Sequence, residues 1–244
     1  MTIKIKGFIE NSLIEWPGNI VSIIFLPYCN LRCPYCHATH LVKEPNELEC
    51  IPVESVTRKI EQNRNWLDGV VVTGGELTLH HDLDRLISTF KAMGLRIRID
   101  TNGTNPHVIE NFIQRGLIDC VAMDIKAPLH EEKYREAAGG PCNVVDIEKS
   151  IRLIMDSGIE YEFRTTVCPT FLDGSDIVQI AQSIAGSSSY ILQTFRPNNC
   201  LDDRMLNVVP YSEEEMAGFA REAQKFVKNC FVRGGEMKVL SSNW

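Results

Sequence analysis

Three cysteines and two histidines fall within the short stretch "FLPYCNLRCPYCHATH" at positions 25–40, and Cys29, Cys33 and Cys36 are spaced C-x₃-C-x₂-C. Thiolates are soft metal ligands, and three of them crowded behind one strand is not a packing pattern. A redox pair would use Cys33 and Cys36 and leave Cys29 without a role. Zinc would need a fourth ligand, which His37 or His40 could supply. A four-iron cubane held by only three cysteines keeps one iron open, as a catalytic zinc site does. An open iron can hold a small molecule through nitrogen and oxygen, which makes such a cluster catalytic rather than an electron store.

Other residues with chemical potential recur at regular places. Thr73-Gly74-Gly75-Glu76 combines two glycines, which permit close backbone approach, with a carboxylate. Asp100-Thr101-Asn102-Gly103 and Asp124-Ile125-Lys126 pair aspartates, suited to hydroxyls or a hard cation, with a lysine suited to a carboxylate. Arg164 alternates with Phe163 and Thr165, so it can point inward and pair with a carboxylate. Gln193 and Arg196 are weaker candidates for substrate contact. His80 and His81 precede a helix, where capping or solvation accounts for them.

These residues need elements to hold them, and the chain alternates β-rich runs with amphipathic stretches. Strands are predicted at 19–27, 69–76, 95–103, 118–126, 159–167 and 189–197. Between them, helices are predicted at 53–66, 81–94, 106–116, 146–158 and 174–186, with Pro106 opening the third and Gly94 closing the second. In the first, Val53, Val56, Ile60 and Trp66 fall on one side. A last helix from Ser212 opens with a Ser212–Glu215 capping box, and "CFVRGGEMKVL" (230–240) reads as a short terminal strand. Six βα units in series predict an α/β fold with a parallel sheet and outer helices, too few for a closed eight-stranded barrel. One domain spanning 1–244 is expected: an N-terminal hairpin-like appendage (1–18), a core (19–197) and a C-terminal helix with strand (198–244). The candidate residues then sit at the carboxyl ends of successive strands, where such barrels bind ligands.

Composition narrows the rest. The 244 residues are 44% hydrophobic and carry a formal charge of −7, which disfavours broad binding to nucleic acid or anionic membrane. No signal peptide or membrane span is apparent. The nine cysteines are odd in number, and six are scattered at 50, 120, 142, 168, 200 and 230, so a disulfide framework is not expected and the reducing cytoplasm is. With no close pair among those six, one cluster is expected.

Taken together, the cysteine motif with Tyr35 before its last cysteine, "TGGE" at 73–76, "DTNG" at 100–103 and "MDIK" at 123–126 resemble the radical S-adenosylmethionine (SAM) enzymes over at least residues 19–167. The resemblance implies a partial (β/α)₆ barrel of the TIM type. It implies a [4Fe–4S] cluster on Cys29, Cys33 and Cys36, whose open iron chelates the methionine amino and carboxylate groups of SAM. Gly74, Gly75 and Glu76 would meet the amino group. Asp100, Asp124 and Lys126, with Thr101, would hold the ribose and carboxylate, with a monovalent cation near Asp100 and Asp124; Asn102 and, from its place on its strand, Arg164 are further cofactor-binding candidates. Tyr35 would line the adenine, and His37 would shape the cluster loop. One departure is Leu77, where relatives often have proline.

Among these enzymes, the stretches "GFIENSLIEWPGNIVSIIFLPYCNLRCPYCH", "DTNGTNP" and "AMDIKAP" are most similar to the activating proteins of anaerobic ribonucleotide reductases. That resemblance implies reductive cleavage of SAM to a 5′-deoxyadenosyl radical, which would abstract hydrogen from a glycine on a partner glycyl radical enzyme. A flavodoxin- or ferredoxin-type protein would supply the electron. Two alternatives stay open: a small-molecule enzyme such as 7-carboxy-7-deazaguanine synthase, and a non-catalytic metal-binding protein, which would leave Gly-Gly-Glu and Asp-Thr-Asn-Gly unexplained.

Overall fold

The computed structural model describes residues 3–234. Its elements in chain order are β1 (Gly7–Ser12), β2 (Val21–Leu26), α1 (Thr39–Val42), α2 (Val53–Asn63), β3 (Gly69–Gly74), α3 (Leu83–Ala92), β4 (Arg96–Thr101), α4 (Pro106–Gln114), β5 (Cys120–Asp124), α5 (Glu131–Ala138), α6 (Val144–Asp156), β6 (Glu160–Val167), α7 (Gly174–Ser183), β7 (Tyr190–Thr194), α8 (Glu213–Ala223) and β8 (Cys230–Arg233). The eight strands form one sheet in sequence order. Strands β2 to β8 run parallel, and β1 pairs antiparallel with β2. Among the described residues β1 and β8 are not hydrogen-bonded to each other, so the barrel is open. The six predicted strands are β2 to β7, as a partial (β/α)₆ barrel requires.

Parallel strands are covered on both faces and therefore read as apolar runs. Val70 and Val72 of β3 face the helices with Ile24, Ile97, Ile99 and Val121, while Val71 joins a smaller interior cluster. The helices complete the outer layer through stripes such as Leu83, Leu86, Ile87 and Phe90 of α3. Their ends follow the expected chemistry. Pro106 stands at the start of α4, Gly94 beyond α3 has φ +82°, and the Ser212–Glu215 box caps α8.

Several expectations need correction. The helix α2 stops at Asn63, so Trp66 leaves its apolar stripe and is 58% exposed. The N-terminal segment contributes β1, which pairs antiparallel with β2 as a hairpin and forms one edge of the sheet. The helix α5 was not anticipated. The terminal strand is present as β8, and residues 235–240 of its predicted span lie outside the described residues.

The loop between β1 and β2 closes the barrel floor. Trp16 is 1% exposed and packs with Val21, Ile23, Val71 and Cys120. Its indole Nε1 donates to Glu160 Oε1 at 2.9 Å, and the Arg96 guanidinium lies 4.5 Å from its ring centroid. Arg96 also pairs with Glu160 at 2.6 Å, so aromatic ring, cation and carboxylate lock the floor from three segments.

Candidate functional site

A cavity of about 560 Å³ opens at the carboxyl ends of the strands. Its lining includes Cys29, Cys33, Tyr35, Cys36, His37, Gly74, Gly75, Glu76, Asp100, Thr101, Asn102, Asp124, Lys126, Arg164, Gln193 and Arg196. Every residue expected to bind cluster or cofactor therefore borders one space.

The cysteine loop leaves β2 through Pro27 and Tyr28, whose φ of +67° is in the left-handed region. Two glycines let it do so. A Cβ on Gly75 would stand 1.8 Å from the Tyr28 carbonyl oxygen, and one on Gly74 would stand 2.4 Å from that of Leu26. The backbone N–H groups of Gly75 and Glu76 donate to those same oxygens, at 2.9 and 2.7 Å. Thus Gly74 admits the end of β2, and Gly75 admits the first residues of the cysteine loop. On its other side the loop rests on α5. Arg32 N–H donates to the Ala138 carbonyl at 2.9 Å, and Gly139, with φ +70°, admits the Arg32 carbonyl where a Cβ would lie 1.9 Å away. His37 Nε2 lies 2.9 Å from the Arg196 carbonyl oxygen, joining the loop to the end of β7. His40 is exposed and is not part of the cavity wall.

Glu76 is almost fully buried, and its carboxylate accepts four hydrogen bonds. Oε1 takes Thr78 N–H at 3.1 Å, Thr78 Oγ1 at 2.6 Å and Thr101 Oγ1 at 2.8 Å, while Oε2 takes Asn102 N–H at 2.7 Å. Burial raises its pKa against the pull of these donors. The side chain braces the turn after β3 against the end of β4. Leu77, in the place of the usual proline, begins a single 3₁₀ turn and is itself buried.

Across the lumen runs a chain of alternating charges. Arg98 Nε meets Asp100 Oδ1 at 3.1 Å, and Asp100 Oδ2 meets Arg164 NH1 at 3.0 Å. Arg164 Nε then meets Asp124 Oδ1 at 2.9 Å, and Asp124 Oδ2 meets Lys126 Nζ at 3.2 Å. A side branch joins Arg98 to Glu162 at 2.8 Å, and Glu162 to Arg233 of β8 at 3.4 Å. Burial opposes ionisation of Asp124, but Arg164 and Lys126 outweigh it and hold the carboxyl at about 2. Asp100 is likewise lowered, burial being overcome by Arg164 and Arg98. The ammonium of Lys126 is stabilised by Asp124 despite burial, and the Tyr134 hydroxyl of α5 accepts the Lys126 backbone N–H at 3.3 Å.

Tyr35 packs 5.7 Å from Phe171, and its buried hydroxyl has no hydrogen-bond partner among the described residues. Gln193 accepts from Thr166 at 3.4 Å, and Arg196 donates to the Gly234 carbonyl at 3.2 Å, both on the cavity rim. His80 stands apart from the site chemistry and bonds the Pro27 carbonyl at 2.8 Å, while Asp82 occupies the N-cap of α3. Sequence reasoning missed Arg98, Glu162, Tyr134 and Gly139.

The donor set fits an iron–sulfur cluster. All three thiols are free and face the cavity, and burial raises the pKa of Cys29 and pushes that of Cys33 up to about 12. Such thiols become thiolates when metal replaces the proton. Among the described residues no group of three or more His, Cys, Asp or Glu is placed to hold one metal ion. A cubane instead takes each thiolate at a separate corner.

Comparison with known proteins agrees with this geometry. A family model described as the radical SAM superfamily matches residues 23–184. A protein of Methanocaldococcus jannaschii, named as a glycyl-radical enzyme activating enzyme, is 32% identical over 96% of this chain and 97% of its own. The pyruvate formate-lyase-activating enzyme of Clostridium pasteurianum is 27% identical over 72% of this chain and 73% of its own. Among solved structures, Streptococcus suis SuiB bound to precursor peptide SuiA superposes with a TM-score of 0.64 at 14% identity. That match covers 88% of this chain and 48% of the SuiB chain, and at this identity it speaks for the fold alone.

Proposed function

This chain belongs to the radical SAM superfamily, and from that premise we propose that it is a glycyl radical enzyme activase whose substrate is a glycine on a partner of the anaerobic ribonucleotide reductase type. Cys29, Cys33 and Cys36 hold a [4Fe–4S] cluster and leave one iron for SAM. When bound, cluster and SAM supply reductive cleavage to methionine and a 5′-deoxyadenosyl radical able to take hydrogen from glycine. The protein's own part is positioning. Lys126 faces the SAM carboxylate, Asp100 and Asp124 face the ribose with a monovalent cation beside them, and Arg164 keeps both aspartates ionised and fixed. Gly74, Gly75 and Glu76 frame the amino group, with Thr101 and Asn102 at the wall, while Tyr35 lines the adenine. A flavodoxin- or ferredoxin-type donor supplies the electron. The protein works in the cytoplasm, and no helix among the described residues is long and apolar enough to cross a membrane.

The observation that carries this reading is the convergence of three free thiols and the Asp100–Arg164–Asp124–Lys126 chain on one cavity. Support for the activase branch comes from similarity to the M. jannaschii protein along nearly the whole of both chains. The test is anaerobic reconstitution with iron and sulfide, reduction in the presence of SAM, and quantitation of 5′-deoxyadenosine, with Cys33→Ala in parallel. An anaerobic reductase subunit is then added and followed by EPR. Deoxyadenosine lost in Cys33→Ala, with a glycyl radical on the subunit, is the expected result. Cleavage without that radical would reject the partner, and no cleavage from a fully loaded protein would reject the chemistry.

A further inference from the structure

Cys29 differs from its two neighbours in what is aimed at its sulfur. The backbone N–H of Leu31 donates to Cys29 Sγ at 3.4 Å, and the side-chain amide of Asn102 donates to it at 3.8 Å, a distance suited to sulfur. The orientation of that amide is fixed by its other partners. Asn102 Oδ1 accepts from the backbone N–H of Thr104 at 3.0 Å and from Thr104 Oγ1 at 2.7 Å. A backbone N–H can only donate, so the oxygen must face Thr104 and the NH₂ group must face the cysteine loop. There Nδ2 also donates to Asn30 Oδ1 at 2.9 Å, and Asn30 Nδ2 returns to Thr104 Oγ1 at 2.8 Å. Asn102 is 6% exposed, so little water competes for the bond. Among the described residues, Cys33 and Cys36 have no side-chain donor directed at sulfur.

On the reading proposed above, that the three thiols hold a four-iron cluster, we infer that Asn102 is a positioning residue that sets the cluster's reduction potential through an N–H···S bond to Cys29. Reduction by a one-electron donor adds negative charge, part of which spreads onto the thiolate sulfurs. An N–H dipole aimed at one sulfur stabilises the reduced form more than the oxidised form and so raises the potential. This assigns Asn102 a role separate from contact with SAM. It also makes the turn after β4 part of the electron-transfer apparatus.

The test is a mediator-assisted redox titration of the reconstituted protein, with dithionite as reductant, EPR detection and iron counted per chain. Wild type is compared with Asn102→Leu, which removes the donor without adding charge, and with Asn102→Asp, which keeps an acceptor towards Thr104. Thr104→Val is the control, because it removes the hydroxyl that braces the loop but leaves the Thr104 backbone N–H and the bond to sulfur. Asn102→Leu is expected to lower the reduction equilibrium constant about tenfold, ~59 mV for one electron, and Asn102→Asp by more, because its carboxylate adds negative charge beside the sulfur. The control is expected to stay at the wild-type potential. Asn102 variants at the wild-type potential, or an equal shift in Thr104→Val, would overturn the inference. Should Asn102→Leu fail to hold four irons, an unshifted Asn102→Asp overturns it alone. Wild type that takes up no four-iron cluster defeats the underlying reading and this inference together.

Discussion

Replacing Gly75 by alanine tests whether the turn after β3 is built around the cysteine loop. The added methyl would lie 1.8 Å from the Tyr28 carbonyl oxygen, and the other two nearest atoms also belong to the Tyr28 backbone. No side chain can rotate away, so the backbone before Cys29 must move by about 1 Å to reach even a tight contact. Such overpacking costs about 1–3 kcal/mol. The same movement breaks the 2.7 Å bond from Glu76 N–H to the Tyr28 carbonyl, a further ~1 kcal/mol. Gly75→Ala should therefore destabilise the cluster-free protein by roughly 2–4 kcal/mol, read from the urea midpoint at unchanged slope. Reconstituted protein should also hold fewer irons. Gly140→Ala is the matched control, since nothing lies within 4 Å of its added methyl and its φ is not positive. A Gly75→Ala protein as stable as that control, with full iron content, would refute the account of how the two loops fit together.

Arg164→Leu leaves Asp100 and Asp124 buried without their shared cation, and a loss of about 3–5 kcal/mol is expected in chemical denaturation without SAM. In wild type the lowered Asp124 pKa gives stability that is full above about pH 4 and lost as pH falls towards about 2; in Arg164→Leu that acid limb should begin at higher pH, and superimposable limbs would contradict the assignment. Glu76→Gln turns an amide NH₂ towards donors on one oxygen or the other, so the cluster-free protein should lose about 1–3 kcal/mol, whereas a role confined to SAM would leave its melting unchanged. Trp16→Ala empties the barrel floor and should cost about 3–5 kcal/mol in the same assay, with loss of the Arg96 and Glu160 contacts.

Much of this was readable in the sequence because parallel strands and their carboxyl-end turns leave local marks. The apolar run of β2, the Val-Val-Val of β3 and the motifs that follow them are contiguous, and contiguity survives in one dimension. The Arg98–Glu162 branch of the charged lumen was not readable in the same way. "RIRID" at 96–100 alternates as a strand with one wet face would, yet Arg98 is 1% exposed because the polar face turns into the barrel. Its partner Glu162 lies 64 residues away, a distance no periodicity records. Helix α5 was missed because "EEKYREAA" has few apolar residues, and Tyr134, Ala137 and Ala138 bury against the barrel without a long stripe. Its good helix formers and the Gly-Gly that follows were the available signal. Trp66 failed in the opposite sense, since the helical spacing continued past the point where the chain turned.

The floor of the barrel also imposes an order on biosynthesis. Trp16 leaves the ribosome early, but its hydrogen-bond acceptor Glu160 follows 144 residues later. At about 5–20 residues per second, roughly 7–30 s pass before that partner exists. Throughout that interval the nascent chain carries an unsealed aromatic plug beside the exposed Leu13 and Ile14, a surface open to chaperones and to aggregation. Sealing of the floor therefore marks the moment at which β6 has joined the sheet.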